Sequence, residues 1–570
     1  MIISKRELAR RPLIARGLSI IFVLSAAAFL AVVPLAAQSG QIVTLLHVND
    51  THSHLAAWGP KSAHLGGTLG GLPKAAHIVA MERLADPEAL FVHAGDFMDG
   101  DFFFNEYLGV AELRLLKSIG LNVLLPGNHE FRFGPDFLVN VLQAAWPGGG
   151  VPMVGTNIDP NGHALGSWIT PTLILSSHGV KVGFLGLLSD RAALMDPDPV
   201  VINKITDYPL VQAAVNKLRG DGAQIVVCLS HAGLDIVRPL ASAVSGIDVI
   251  VNAHDHAVLE QPEAASSPGG GTTLIVSAGG HYRWVGRLRM SVDAGGVRLV
   301  DYALLGADAH TPADPAVQAA VEELKTGIMV RYGNVYGQPL AWAPRDITLE
   351  WKPNSAGRDT PLGNLLSDAY RAWTGTDIAI EPFAYIGDAL PKGTIVGADV
   401  FRAMSYGNLE IVGGKQIVSP WRLVTFRTTG AALLRVLDTT LTLGGDYFPQ
   451  VSGLRFQYNS SSTVPYEGDP FGARQMILPG TVYAGWHKLL DDQSYSVTVT
   501  EGVYLALKYA LGMPMEDDRT LPDLAFDAVR LYVARQFMLL PVASGRIWDV
   551  AALPKVKKAR AEMASTGVIH

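Results

Sequence analysis

The chain has 570 residues, of which 49% are hydrophobic, 17% charged and 59 are glycine. That length exceeds one ordinary core, so two domains are expected, and the composition excludes a disordered chain. A net charge of -7 with no basic stripe excludes a nucleic-acid polymer as partner. A small anionic substrate stays compatible, because bound metals can supply local positive charge.

Residues 1–37 read as a signal peptide. Lys5, Arg6, Arg10, Arg11 and Arg16 precede an apolar run at 18–35, and Leu35-Ala36-Ala37 ends in small residues, as signal peptidase requires. The expectation is a periplasmic or secreted protein that meets the membrane only through this segment, during export. An uncleaved anchor is the alternative, since the run is just long enough to span. Arg10-Arg11 hints at twin-arginine export.

From about 41 to 305 the chain alternates β and α patterns. Apolar runs at 42–48, 90–93, 123–125, 225–229 and 249–251 read as buried strands, and 110–119 and 210–219 show helical spacing. A two-layer or sandwich α/β core follows. Each strand ends in, or runs into, a polar block. In order these are Asp50-Thr51-His52, Gly95-Asp96, Gly127-Asn128-His129-Glu130, Ser230-His231 and His254-Asp255-His256. Residues at the carboxyl ends of parallel strands converge on one crevice.

The converging groups are carboxylate, imidazole and carboxamide, a set that suits two divalent cations such as Mn, Zn, Fe or Co. Two ions sharing a bridging carboxylate can clamp a phosphate. The residues therefore point to a hydrolase of phosphoesters or of a similar oxyanion ester. Singly the blocks are weak: Gly-Asp is a common turn, and a lone His231 reads as a core histidine. His47, His54, His64, His77 and His93 read as structural. His281, after Ala278-Gly279-Gly280, follows another strand pattern and is a candidate pocket residue. The single cysteine, Cys228, rules out an internal disulfide and lies in an apolar strand, where packing is its expected role.

The order of the blocks resembles the calcineurin-like metallophosphoesterases. Residues 46–55 and 127–131 resemble motifs of the 5'-nucleotidase branch. The resemblance implies that Asp50, His52 and His256 hold one metal, that Asn128, His231 and His254 hold the other, and that Asp96 bridges them. It implies that His129, next to Asn128, is the catalytic histidine. Many relatives carry an acidic residue three positions after that histidine, where this chain has Arg132. Either another carboxylate, Asp99 or Glu130, then orients His129, or its pKa and tautomer differ from the family norm. Arg132 either meets the substrate's charge or is a solvated surface residue.

Thr311–Pro315 breaks the pattern, and 316–330 reads as a helix within a connecting segment, 306–335, with Pro315 in its first turn. A second domain, α+β, is expected over 336–555. Residues 360–369 resemble the start of the 5'-nucleotidase C-terminal domain, and 448–453 resemble its substrate-facing segment. By that resemblance Tyr447 or Phe448 stacks on a nucleobase; a core aromatic before a turn is the alternative. Two departures follow. The position of the relatives' substrate-binding arginine falls at Gly387, and no second stacking motif is evident in 498–511.

The leading expectation is an exported dinuclear-metal hydrolase of nucleotides or related small phosphomonoesters. A thiosulfohydrolase of the same superfamily is the alternative, but the resemblance implies that such enzymes replace the histidine at 129. A metal-binding protein without turnover is the third reading. Oligomeric state is not legible.

Overall fold

The computed structural model describes residues 40–190, 198–353, 355–404 and 406–553. The expected signal segment lies outside them. Among the described residues no helix is long and apolar enough to cross a membrane.

The N-terminal half is built on two facing sheets. In the first, Gln41–Val48, Leu90–His93 and Val123–Leu124 run parallel, at the centre of seven strands. In the second, Val180–Leu188, Ile225–His231, Val249–Ala253 and Thr272–Val276 run parallel within six. Their inner faces share one core. Val43, Leu45 and Val92 from the first sheet meet Phe184, Val227 and Val251 from the second, all without exposure. Strands buried on both faces need continuous apolar runs rather than alternation, which is how these segments read.

Helices cover both outer faces. Leu72–Ala85, Val110–Ser118 and Gly134–Ala145 pack on the first sheet, and Tyr208–Gly220 and Leu234–Ala243 on the second. The result is a four-layer α/β sandwich. Cys228 is buried in the outer layer of the second sheet.

The helix expected at 316–330 spans Pro315–Tyr332. The Asp314 carboxylate accepts the amides of Ala316 and Val317, and Pro315 needs no partner for its missing N–H, so this start is fixed by sequence. Beyond it lies a mixed five-stranded sheet. Its order is Pro449–Ser452, Ile378–Pro382, Ser494–Thr500, Arg422–Thr429 and Glu516–Leu524. Helix Pro361–Thr374 packs on it, capped by the Thr360 hydroxyl, which accepts the Gly363 amide. The two halves share more than a linker: one continuous apolar cluster holds Phe102 and Phe104 from the first and Phe401 and Phe526 from the second.

Candidate metal centre and active-site cleft

The five polar blocks meet at the carboxyl ends of the parallel strands of both sheets. Asp50 and His52 follow Gln41–Val48, and Asp96 follows Leu90–His93. Asn128 and His129 follow Val123–Leu124. His231 is the last residue of Ile225–His231, and His254 and His256 follow Val249–Ala253. Asp50, His52, Asp96, His254 and His256 all have φ between 46° and 88°. Left-handed backbone at non-glycine residues costs roughly 1–3 kcal/mol each and persists only where the surroundings enforce it. Here it turns consecutive side chains toward one point.

That point is Asp96. Its Oδ2 lies 3.0 Å from His231 Nε2 and 3.8 Å from both His52 Nε2 and His129 Nε2. His52 Nε2 is 3.0 Å from His256 Nε2, and His254 Nδ1 is 3.0 Å from Asn128 Oδ1. Asp50 Oδ1 is 3.8 Å from both His231 Nε2 and His256 Nε2, and it accepts the His254 amide at 2.9 Å. All seven residues expected as ligands are thus brought together.

Their environment fits divalent cations. His231 Nε2 is fully buried and faces two carboxylates, Asp96 and Asp50. Burial opposes charge on His231, yet Asp96 and Asp50 pull its pKa up to about 10, a measure of how strongly this position calls for positive charge. Burial holds the His254 imidazole down at about 4 and that of His52 well below its ordinary value, so their lone pairs are free for a metal. His52 and His231 each turn Nδ1 to a backbone carbonyl, of Met98 at 3.2 Å and Ala94 at 2.9 Å. Such contacts fix the proton on Nδ1 and present Nε2 to an ion.

His129 is oriented by Asp99, whose Oδ2 is 3.1 Å from His129 Nδ1. Burial alone would push the Asp99 carboxyl up, but Arg132 and His129 hold it below the usual carboxylate range. Burial likewise disfavours protonated His129, and Asp96 and Asp99 outweigh it and raise the imidazole. Of the two carboxylates the sequence left open, Glu130 does a different job. It accepts the amides of Asp96, Phe97, Met98 and Gly127 and so shapes the Asp96 loop.

Arg132 is not the solvated surface residue of one reading, since its side chain is only 10% exposed. It donates to Asp99 at 2.6 Å and to the Gly407 carbonyl at 2.7 Å, and it lies 4.7 Å over the Tyr406 ring.

The calcineurin-like phosphoesterase family matches residues 43–258, and the 5'-nucleotidase C-terminal domain matches residues 347–507. The chain belongs to the 5'-nucleotidase-type metallophosphoesterases. The trifunctional nucleotide phosphoesterase protein YfkN of Bacillus subtilis is 24% identical over 73% of this chain, and the match spans 29% of that longer protein. A 5'-nucleotidase of Diplobatis ommata is 24% identical over 90% of this chain and 91% of its own. A 5'-nucleotidase precursor from Thermus thermophilus shares the fold, with a TM-score of 0.70 and 24% identity over 89% of this chain and 99% of that one.

In this metallophosphoesterase the C-terminal half closes over the centre and leaves a cleft of about 260 Å³. Besides His52, His129 and His256, the cleft is lined by residues that the polar-block pattern did not select: His54, His281, Asp388, Arg402 and Tyr406. His281, the candidate pocket residue, does follow a strand, Thr272–Val276, itself parallel to Val249–Ala253. Asp388, Arg402 and Tyr406 carry no local signal. They come from the other domain.

The aromatic expectation needs correction. Phe448 is 5% exposed and packs 5.4 Å from Trp351 and 5.5 Å from Phe383, so it is a core ring. Tyr447 is half-exposed, on the rim of a separate apolar cavity. Neither lines the cleft at His129; Tyr406 does, its ring 6.1 Å from that of His129. Gly387 faces the cleft, but a Cβ there would lie 2.2 Å from the Arg402 carbonyl oxygen, so this backbone admits no arginine.

Proposed function

We propose that the chain hydrolyses small phosphomonoesters, nucleoside monophosphates among them, at a dinuclear metal centre. Asp50, His52 and His256 would hold one ion and Asn128, His231 and His254 the other, with Asp96 between them. The observation that carries this is the position of Asp96 Oδ2, within 3.8 Å of imidazoles from both sets. A carboxylate has two usable oxygens and can serve two ions, whereas Asn128 ligates without adding charge. When bound, two such ions supply Lewis acidity toward a phosphoryl oxygen and activate water near neutral pH.

The protein's own groups do the rest. His129 is held at Nδ1 by Asp99, which leaves Nε2 directed at the centre to hold a proton for the departing oxygen or to stabilise developing charge. Arg132 is a positioning residue, since it fixes Asp99. The intact Asn128-His129 pair favours phosphoester hydrolysis over the thiosulfohydrolase alternative. Export to the periplasm or beyond belongs to the same proposal and rests on residues 1–37.

The test is metal removal followed by a substrate panel. Chelation should abolish hydrolysis, and Mn or Co should restore it. Full activity in metal-stripped protein would sink the proposal. With no arginine at 387 and Phe448 in the core, the base should be gripped weakly. An aryl phosphate and a nucleoside monophosphate should then differ in kcat/KM by no more than about a hundredfold, or about 2.7 kcal/mol. Greater selectivity would show a nucleoside clamp of another design.

A further inference from the structure

Outside the seven expected ligands, a second group of metal-binding side chains spans the two domains. His54 and His281 come from the sandwich and Asp388 from the C-terminal half. One donor atom from each lies within 4.8 Å of the others. We propose that these three residues form a third divalent-cation site in the cleft, next to the dinuclear centre, whose His52 and His256 also have donor atoms within 4.8 Å of one on His281.

The geometry repeats what is seen around Asp96. His54 Nε2 is 2.8 Å from Asp388 Oδ2, and His281 Nε2 is 3.7 Å from Asp388 Oδ1. The corresponding spacings at Asp96 are 3.0 Å to His231 and 3.8 Å to His52. His54 Nδ1 is 2.8 Å from the His52 carbonyl oxygen, which holds the ring with Nε2 toward the Asp388 carboxylate. Backbone carbonyls orient the rings of His52 and His231 in the same way.

The imidazoles of His54 and His281 stack at 3.9 Å with planes 14° apart, which sets their Nε2 atoms side by side toward Asp388. The site is also built in advance. His281 has φ of 56°, its amide donates to the Asp50 carbonyl at 2.9 Å, and its carbonyl accepts from Trp58 Nε1 at 2.9 Å. His54 is 1% exposed.

Two imidazoles and a carboxylate form a borderline donor set, suited to Zn, Co or Ni, with open positions for water or a substrate oxygen. An ion there would put positive charge beside Gly387, where the family resemblance leads one to expect an arginine. It would also tie the C-terminal half to the sandwich at the cleft.

The test is metal counting on the full chain, by stepwise Co(II) titration and by elemental analysis after dialysis. Wild type should bind three equivalents. Asp388→Asn and His281→Gln should each bind two, and the double variant also two, with melting temperatures confirming that each is folded. His231→Gln should lose an ion from the dinuclear centre and keep the third. Saturation of wild type at two equivalents, unchanged in Asp388→Asn, would overturn the proposal and leave an ion pair. Loss of an ion in His281→Gln but not in Asp388→Asn would overturn it too, by assigning His281 to the dinuclear centre. A single equivalent that survives His231→Gln and vanishes in Asp388→Asn would instead overturn the dinuclear reading.

Discussion

His129 stands apart from the residues around it because its ring meets carboxylates at both nitrogens. Asp99 lies at Nδ1 and Asp96 at Nε2. A residue so placed can hold a proton without holding a metal. His129→Ala should therefore lower turnover by about 10²–10⁴-fold, the usual worth of a general acid, while metal content stays at the wild-type level. Elemental analysis beside steady-state kinetics checks this. A metal-depleted variant would show that the ring supports the centre rather than the chemistry. The role of Arg132 was not open to sequence reasoning. Its partners Asp99 and Gly407 lie far along the chain, and only the fold sets a guanidinium between them.

The elements that carry the site were legible because strands buried on both faces are written as unbroken apolar runs. The run expected at 90–93 is the strand Leu90–His93, and the runs at 225–229 and 249–251 extend to Ile225–His231 and Val249–Ala253. Those extensions matter, since they put His231 on the strand itself. Residues 447–453 were ambiguous because aromatic residues before a turn look alike whether they face solvent, substrate or core. Phe448 faces the core, so Phe448→Ala should cost about 3–5 kcal/mol in denaturant unfolding, as large-to-small core changes do, with little change in KM. A KM for nucleoside monophosphates raised by about tenfold, roughly 1.4 kcal/mol, at unchanged stability would put the ring on the substrate instead.

Across the whole molecule, charged residues as well as apolar ones join the two halves. Arg402 from the C-terminal half donates to Asp101 of the sandwich at 2.6 Å and to its own Asp399 at 3.0 Å, and Lys61 of the sandwich reaches Asp399 at 2.6 Å. Arg402, Asp101 and Asp399 are each at most 5% exposed. Removing one member of a buried ionic group leaves its partners uncompensated, which typically costs about 3–5 kcal/mol. Arg402→Leu should show that loss in equilibrium unfolding. A change below about 1 kcal/mol, the range of a surface pair, would mean that water reaches this junction.

The sequence by itself determined the α/β class, the five strands that lead into the site and the polar blocks at their ends, and the family resemblance picked the seven candidate ligands from those blocks. Local periodicity sets a strand, and a strand's end sets where its polar residues go. The chain-order rule for parallel sheets then needs no knowledge of side-chain contacts. What the cleft holds beyond those residues was decided only by tertiary structure. His54 and His281 become neighbours of Asp388, and Tyr406 a neighbour of His129, through contacts between segments more than a hundred residues apart. No local pattern encodes such a contact. It forms because a shared apolar core, with Phe102 stacked 3.8 Å from Phe401, fixes the C-terminal half against the sandwich.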